Sequence, residues 1–225
     1  FRARDASDAA HRKAQLLAAD LAAEGYVIVS GLARGVDAAA HRAALAGGTV
    51  AVLAGGLDRP YPPQNLDLLQ AIVDQGGAVV AEAPLGQEPR ARDFPRRNHI
   101  ISGLALGVVV IEAAQRSGSL ITARAAADQG REVMAVPGSP LDPRTRGCNQ
   151  LLRNGATLVE TAADVIEALG RIGSERPRPL APRHPPDLFT PPPGLSGRVA
   201  ALLSPTPIHI NDLARLLQVG SGQVG

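Results

Sequence analysis

Short aliphatic runs alternate with amphipathic stretches along the first 170 residues of the chain. Apolar residues recur at helical spacing over residues 7–24 and stop at Gly25, which predicts a helix followed by a tight turn. Continuous aliphatic runs, each followed by another helical pattern, predict strands. These strands are Tyr26–Ser30, Thr49–Ala54, Ala78–Ala81, Gly107–Ile111, Glu132–Val136 and Thr157–Val159. The helices predicted between and after them are Val36–Ala46, Gln64–Gln75, Phe94–Ala105, one that Ser117–Ser119 opens, Asn149–Arg153 and Ala162–Leu169.

This alternation predicts an α/β fold with a doubly wound, mostly parallel sheet. Uninterrupted aliphatic strands are typical of parallel sheets that helices cover on both faces, so the strand Gly107–Ile111 is expected to be buried on both faces. The sequence opens directly with a helix, so the first strand usual for this architecture is missing from it. In such sheets ligands bind beyond the carboxyl ends of the strands.

The pattern changes after residue 170, which we take as the end of the main domain, residues 1–170. Eight of the 19 prolines lie between Pro177 and Pro193, so residues 171–195 are predicted to be a Pro-rich linker. Residues 196–225 then hold two short helical patterns, Ser196–Leu203 and Ile210–Gln218. They predict the start of a winged-helix or helix-turn-helix domain that is incomplete, because the chain stops where the recognition helix would follow.

Composition narrows the setting and the possible chemistry. The single cysteine excludes an internal disulfide and a cysteine-based zinc site, which favours a reducing cytoplasm. No apolar run is long enough to span a bilayer, and no signal peptide opens the chain. The five histidines lack metal-ligand spacing, and only five residues are aromatic, so we expect an aliphatic core without a metal site.

Two features near the centre of the chain favour an anion. Arg96 and Arg97 fall in the first turn of a predicted helix, where the helix dipole disfavours cations unless an anion is also present. The loop Ser117-Gly118-Ser119 joins a strand to a helix and can expose backbone N–H groups to an anion. Since both flank one strand, we predict a ligand that carries phosphate.

Other residues extend this prediction. Residues 90–99 hold four arginines and one aspartate, which indicates a basic rim, and Phe94 and His99 within it can stack on a base. With so few aromatic residues, an extended stacking platform is not expected. Arg34 lies in a loop whose glycines serve the geometry of the turn, and its side chain either faces a phosphate or is merely exposed. The net charge of +2 means that nucleic-acid binding must come from such local clusters.

Several classes of enzyme are excluded by what the sequence lacks. No G-x-G-x-x-G follows a strand, and Lys13 is the only lysine, so neither a dinucleotide fingerprint nor a P-loop is present. Glu82 and Glu112 lie near strand ends without a nucleophile and base beside them, and hydrogen bonding to loop amides is their better interpretation. We therefore expect no catalytic residues and no cofactor.

Four segments together resemble the DNA-processing protein A family (DprA, also called Smf) over roughly residues 4–169. They are SGLARGVDAAAH at 30–41, GGLDRPYPPQN at 55–65, FPRRNHIISGLALGVVVIEAAQRSGSLITA at 94–123 and VPGSPLDPRTRGCNQLLRNGA at 136–156. The resemblance implies an extended Rossmann-like domain that binds single-stranded DNA without enzymatic activity. It also implies a homodimer that loads the RecA recombinase onto incoming strands during natural transformation.

The resemblance also implies a set of residues that line a phosphate pocket. Arg4 matches the arginine of a family Gly-Ser-Arg element, although Arg2 replaces its glycine. Cys148 stands where the family commonly has Ser or Thr. The remaining matching positions are Ser30, Gly31, Arg34, Arg96, Arg97, Asn98, Ser117, Gly118 and Ser119.

Two alternatives stay open. The first is a nucleotide-processing phosphoribohydrolase of the lysine-decarboxylase-like group, whose P-G-G-x-G-T-x-x-E element supplies a catalytic glutamate; here residues 116–123 read RSGSLITA, with no glutamate after them. The second is a duplex-DNA regulator that acts through the C-terminal helices. Release of free base from a nucleoside monophosphate would favour the first alternative.

Overall fold

The computed structural model describes residues 6–170 and 210–218. The chain divides into two compact units, residues 1–174 and 175–225, and each is described by itself. Of the second unit the structure describes one helix, Ile210–Leu217, close to the predicted Ile210–Gln218. The predicted linker and the predicted helix Ser196–Leu203 lie outside the described residues.

The first unit alternates helix and strand as the sequence predicts. Its strands are β1 (Ile28–Ser30), β2 (Thr49–Leu53), β3 (Ala78–Ala81), β4 (Gly107–Val110), β5 (Glu132–Ala135) and β6 (Thr157–Leu158). Its helices are α1 (Asp8–Ala23), α2 (Val36–Ala43), α3 (Leu66–Asp74, after a 3-10 turn at Pro63–Asn65), α4 (Asp93–Leu104), α5 (Gly118–Asp128), α6 (Arg146–Arg153) and α7 (Ala162–Gly170). The helix of the second unit is α8.

Every strand pair in the described residues is parallel, which confirms the predicted α/β class. The strands form two ladders, in the orders β1-β2-β3 and β4-β5-β6. In the first ladder Ser30 lies beside Ala51, and in the second Val110 lies beside Ala135. Since β1 and β4 each pair with one neighbour, the described strands form two sheets where the sequence predicts one.

Both faces of β4 pack against a core, as predicted. Val109 packs against the cluster formed with α1 and α7, whereas Val108 and Val110 pack in the cluster formed with α5 and α6. Only Val110 is fully buried, while Gly107, Val108 and Val109 are half-buried, because β4 pairs only with β5 and forms the edge of its ladder. An aliphatic run reports the hydrophobic character of a strand but not whether a second strand lies beside it.

The second sheet shows why the fold is doubly wound. Met134 and Ala135 are successive residues of β5, so their side chains point to opposite faces. Met134 packs with residues of α1 and α7, whereas Ala135 packs with residues of α5 and α6. Each face of this sheet therefore has its own pair of helices and its own core.

The first sheet follows the same logic with smaller side chains. Residues of β2, α2 and α3 pack around the fully buried Leu32 and Ile72. Helices α1 and α2 approach closely through alanines, among them Ala18, Ala22 and Ala44. No aromatic residue is fully buried in the described part of the chain, so the core is aliphatic as expected.

Helix α1 also orients the two sheets. Ser7 caps it by accepting a hydrogen bond from the N–H of Ala10, and Gly25, at a φ of +84°, ends it in the turn that leads to β1. The start of α1 therefore lies towards the carboxyl end of β1. There Glu112, just after β4, accepts hydrogen bonds from the N–H and the Oγ of Ser7 at 3.1 and 2.6 Å. The carboxyl ends of both sheets thus share one edge of the unit.

Candidate functional site

Helix α4 presents its two neighbouring arginines to opposite environments. Successive helical residues are rotated by about 100°, so Arg96 and Arg97 cannot share a face. The side chain of Arg96 is 70% exposed, and its Nε contacts the carboxylate of Glu82 at 2.7 Å. This hydrogen bond and the charge of Glu82 raise the pKa of Arg96, so the side chain stays a cation. Arg97 is only 3% exposed.

The buried guanidinium of Arg97 holds the ends of two strands together. Its Nη1 donates to the carbonyl oxygens of Gly31 and Val52 at 2.5 and 2.6 Å, and its Nε donates to the Oδ1 of Asn98 at 3.2 Å. Burial lowers the pKa of Arg97 while the charge of Asp37 opposes that shift, and an arginine remains protonated in either case. Arg97 therefore bridges the carboxyl ends of β1 and β2.

Gly31 has no side chain because the guanidinium occupies that space. A Cβ built on Gly31 would overlap the Nη and Cζ atoms of Arg97. The amide of Asn98, next to it, is fully buried, and its Nδ2 has no hydrogen-bond partner among the described residues. The structure thus brings Gly31, Arg97 and Asn98 into one buried group under the loop that follows β1, and the half-buried Ser30 directly precedes this loop.

The N–H groups of that loop already bind a carboxylate of the protein itself. The Oδ2 of Asp37 accepts hydrogen bonds from the N–H groups of Gly31 and Ala33, both at 3.2 Å. Between them Leu32 has a φ of +57° and is fully buried. The amide of Asn65 donates to the carbonyl oxygens of Leu32 and Ala33 at 2.8 and 3.2 Å, which ties this loop to the one after β2.

Arg34 lies on the outside of the same loop. It is exposed, and its Nε donates to the Oε1 of Gln64 at 3.2 Å. Its guanidinium therefore faces solvent beside the loop after β2. A phosphate could meet this side chain, whereas the backbone below it is occupied by Asp37.

The loop after β4 is built differently. Ser117 is the N-cap of α5, and its Oγ accepts from the N–H of Ser119 at 3.3 Å. The N–H of Gly118 has no acceptor among the described residues, and the first turn of α5 carries no acidic side chain. Arg116, exposed and just before the cap, forms no ion pair with any described residue. An open N–H group at a helix start, beside an exposed cation, is a favourable place for an anion.

These pieces lie at one edge of the unit. In parallel β-α units the helices start at the carboxyl ends of the strands, so the first turn of α4 lies beyond the end of β3 and the first turn of α5 beyond the end of β4. Arg96 and Ser117–Ser119 therefore share that edge with the Gly31 loop. The described residues show no direct hydrogen bond between Ser117–Ser119 and the group around Arg97. Arg4, the remaining predicted residue, lies outside the described residues.

Two features of this edge are not predicted from the sequence. One is Arg116, which the sequence could have marked because it directly precedes the serine that caps α5. The other is Tyr61, whose ring meets that of Phe94 with centroids 6.1 Å apart and an interplanar angle of 72°. The sequence could have pointed to Tyr61 because aromatic residues are rare in this chain, which has only two tyrosines and no tryptophan. His99, which the sequence pairs with Phe94 as a stacking residue, is exposed on α4.

The carboxylates near the strand ends are already engaged. Glu112 accepts hydrogen bonds from the backbone N–H and the hydroxyl of Ser7, so the predicted bond to a backbone amide is present. Glu82 instead pairs with the side chain of Arg96, because α4 brings that guanidinium to the end of β3. Within residues 6–170 and 210–218, no three His, Cys, Asp or Glu side chains gather as they would around a metal ion. Among the same residues no helix is both long and apolar enough to cross a membrane.

The fold and this edge define a Rossmann-like α/β protein with an arginine-bearing rim, and comparison with known proteins specifies the family. Residues 3–170 match the family described as DNA recombination-mediator protein A. The chain belongs to this family. The sequence prediction of the DprA/Smf family is therefore confirmed.

Individual relatives agree with this assignment. Protein Smf of Escherichia coli is 49% identical over 160 residues, which are 70% of this chain and 43% of that protein. DNA processing protein DprA of Streptococcus pneumoniae is 49% identical over 142 residues, which are 62% and 50% of the two chains. The chain spans about half the length of the curated relatives it matches.

Two solved structures have the same fold. The X-ray structure of DprA from Streptococcus pneumoniae matches with a TM-score of 0.68 and 44% identity, over 73% of this chain and 58% of that one. A structure of DNA processing protein A from Helicobacter pylori, described for its single-stranded DNA binding mode, matches with a TM-score of 0.68 and 29% identity. It covers 75% of this chain and 77% of that one.

Proposed function

We propose that this chain binds single-stranded DNA through its phosphates, at the carboxyl edge of the two sheets, as part of DNA processing in natural transformation. The observation that carries the proposal is the start of α5, where the open N–H of Gly118 lies beside the exposed Arg116. Arg34 and Arg96 add exposed cations at the same edge. Contacts to phosphates provide affinity that does not depend on the base sequence of the DNA.

The predicted site residues divide into two roles under this proposal. Those that offer an exposed cation, a hydroxyl or the open N–H of Gly118 to phosphate are Arg34, Arg96, Ser117, Gly118 and Ser119, with Arg116 added. The other predicted residues support the site without contacting phosphate, because Arg97 and its hydrogen bonds fix the loop that carries Arg34. These residues are Ser30, Gly31, Arg97 and Asn98. Arg4 is proposed as a further phosphate ligand that approaches from the start of the chain.

Binding of single strands is supported by the relative from Helicobacter pylori, whose structure is described by that activity. We propose no catalytic step, since Glu82 is held in an ion pair with Arg96 and Glu112 in hydrogen bonds with Ser7. The hydroxyl of Ser7 is itself engaged as the cap of α1, where it accepts from the N–H of Ala10. Incubation with nucleoside monophosphates tests this directly. Released free base would favour the phosphoribohydrolase alternative.

The remaining parts of the proposal concern partners. We propose that the protein acts in the cytoplasm as a homodimer and loads RecA onto the bound strand. Mass measurement in solution tests the dimer. Faster RecA assembly on an oligonucleotide in the presence of the protein tests the loading, and an unchanged rate would refute it.

Fluorescence anisotropy with a labelled oligo-dT tests the binding itself. The full chain is titrated at several salt concentrations, and each phosphate contact contributes about 0.7 to the slope of log affinity against log salt. Arg116→Ala and Arg96→Ala should each lower affinity and reduce the slope by about this amount. Because no base is read, the effect should be similar for different sequences.

Arg42→Ala provides the matched control. Arg42 is also an exposed arginine, but it lies in the last turn of α2 and therefore at the opposite edge of the sheet. Its removal changes the net charge equally and should leave the slope unchanged. Equal effects of Arg42→Ala and Arg116→Ala would mean general charge attraction, and a duplex that binds as tightly as the single strand would refute strand preference.

A further inference from the structure

Two aromatic rings project at the arginine-bearing edge. Tyr61, in the loop after β2, is 44% exposed, and Phe94, in the first turn of α4, is half-buried against it. Their centroids are 6.1 Å apart in an edge-to-face arrangement. Such a contact uses only part of each ring, so Tyr61 keeps a large aromatic surface in solvent. The tyrosine hydroxyl has no hydrogen-bond partner among the described residues.

The position of Tyr61 is fixed from two sides. Pro62 and Asn65, which follow it, are buried, and Asn65 donates to the carbonyl oxygens of Leu32 and Ala33. On the other side, Phe94 is itself held by the guanidinium of Arg97, whose Cζ lies 5.8 Å from the ring centroid. An exposed aromatic side chain on a loop tied at both sides is pre-organised for contact with a flat partner.

Cations lie near this ring along the chain. Arg34 donates to Gln64, three residues after Tyr61, and Arg96 lies two residues after Phe94. Both arginines are exposed and belong to the proposed phosphate contacts. An exposed aromatic surface on the same edge as phosphate-binding cations suits an unpaired base, since every base has a π-face and a base in a duplex is already stacked on its neighbours.

We propose that Tyr61 stacks on an unpaired base of the strand whose phosphates the arginines hold, with Phe94 as the support behind its ring. This inference rests on the proposed function and deepens it, because it gives a physical reason for preferring single strands. A merely structural Tyr61 would serve only to cover Phe94. The two roles differ in whether the bases of the oligonucleotide matter.

The composition of the chain makes a direct measurement possible. Tyr26 and Tyr61 are its only tyrosines, and it has no tryptophan. In a Tyr26→Phe protein, Tyr61 is the only strongly fluorescent residue. Stacking on a base should quench its emission when oligo-dT is added at saturation. An oligonucleotide of the same length made only of abasic sites has the same phosphates, and it should bind without this quenching.

Affinity measurements in the full chain complete the test. Tyr61→Ala should weaken oligo-dT binding by about 5- to 150-fold, which corresponds to the 1–3 kcal/mol typical of one base–aromatic stack. It should leave the affinity for the abasic oligonucleotide unchanged. Tyr61→Phe keeps the π-face and should bind like the parent, whereas Arg116→Ala should weaken both ligands. Unaltered thermal unfolding of Tyr61→Ala serves as the control for folding.

The outcomes separate this inference from the proposed function. If oligo-dT binds and Tyr61 is not quenched, or if Tyr61→Ala weakens both oligonucleotides equally, the stacking role is refuted while phosphate binding stands. If the parent protein binds neither oligonucleotide, the proposed function is refuted and the stacking role with it. Quenching by oligo-dT alone, with selective loss in Tyr61→Ala, supports both.

Discussion

Replacing Arg97 should damage the fold more than it damages any direct contact with DNA. In Arg97→Ala the carbonyl oxygens of Gly31 and Val52, which the guanidinium binds at 2.5 and 2.6 Å, lose their buried donor. Each unsatisfied buried acceptor costs roughly 1–3 kcal/mol, and relief from burying a charge offsets part of this. We expect a net loss of about 3 kcal/mol, which in a chain of this size lowers the melting temperature by roughly 6–12 °C.

Thermal or urea unfolding of the full chain measures this loss, and Arg96→Ala is its control. Arg96 lies on the same turn of α4 but is exposed, so its removal should leave the melting temperature unchanged and reduce only the salt slope of DNA binding. Arg97→Lys keeps the charge without the planar fork and should remain destabilised. If Arg97→Ala unfolds at the parent temperature and instead lowers the salt slope, the bridging role is wrong and Arg97 contacts phosphate.

A second substitution at Gly31 sharpens the same experiment. A Cβ at Gly31 would overlap the guanidinium, so Gly31→Ala should destabilise the parent protein. In the Arg97→Ala background that space is empty, and adding Gly31→Ala should cost little more. The double-mutant cycle should therefore show a coupling within the 0.5–3 kcal/mol typical of residues in contact. Additive losses would contradict the close packing of the two residues.

Two further predictions concern stability. Burial lowers the pKa of His41 to about 4, against 6.5 in the unfolded chain. Between these pH values the unfolded chain binds a proton that the folded chain does not, so the free energy of unfolding should fall as the pH drops below 7. At pH 5 the loss should be about 2 kcal/mol. Urea unfolding at pH 7.5 and 5 checks this, and a His41→Gln protein with the same pH dependence would contradict it. Ser7→Ala removes the cap of α1 and a donor to Glu112, and should cost about 1–2 kcal/mol. An unchanged urea midpoint would show that this link between α1 and the end of β4 is dispensable.

The sequence is a good guide to the elements because their signals are local. Strand β3 runs over Ala78–Ala81 as predicted, and α1 differs from its predicted range by one residue at each end. The edge position of β4 could not be predicted in this way, because an aliphatic run has the same appearance beside one neighbouring strand or two. Strand pairing joins residues far apart in sequence, such as Val110 and Ala135, and no local pattern encodes it.

The roles of the arginines have the same limitation. Arg96 and Arg97 are identical in type and adjacent, and the sequence treats them as one pair of phosphate ligands. What separates them is a long-range contact, since Arg97 reaches carbonyl groups 66 and 45 residues earlier in the chain. A helical pattern shows that neighbouring residues face different directions, but only the fold decides which direction is the interior.

The two strand–helix loops that the sequence marks as anion sites are distinguished by one carboxylate. In the loop after β1, the carboxylate of Asp37 accepts hydrogen bonds from the N–H groups of Gly31 and Ala33. A phosphate at this loop would therefore be repelled by a negative charge, and both donors would already be engaged. After β4, the first turn of α5 has no acidic residue and the N–H of Gly118 stays open. Because like charges repel and those two N–H groups already have an acceptor, we expect a phosphate to bind at the start of α5 rather than at the backbone of the loop after β1. Asp37→Asn should therefore disturb the loop after β1 without raising the affinity for single-stranded DNA. A marked gain in affinity would show that the loop after β1, and not the start of α5, is the main phosphate site.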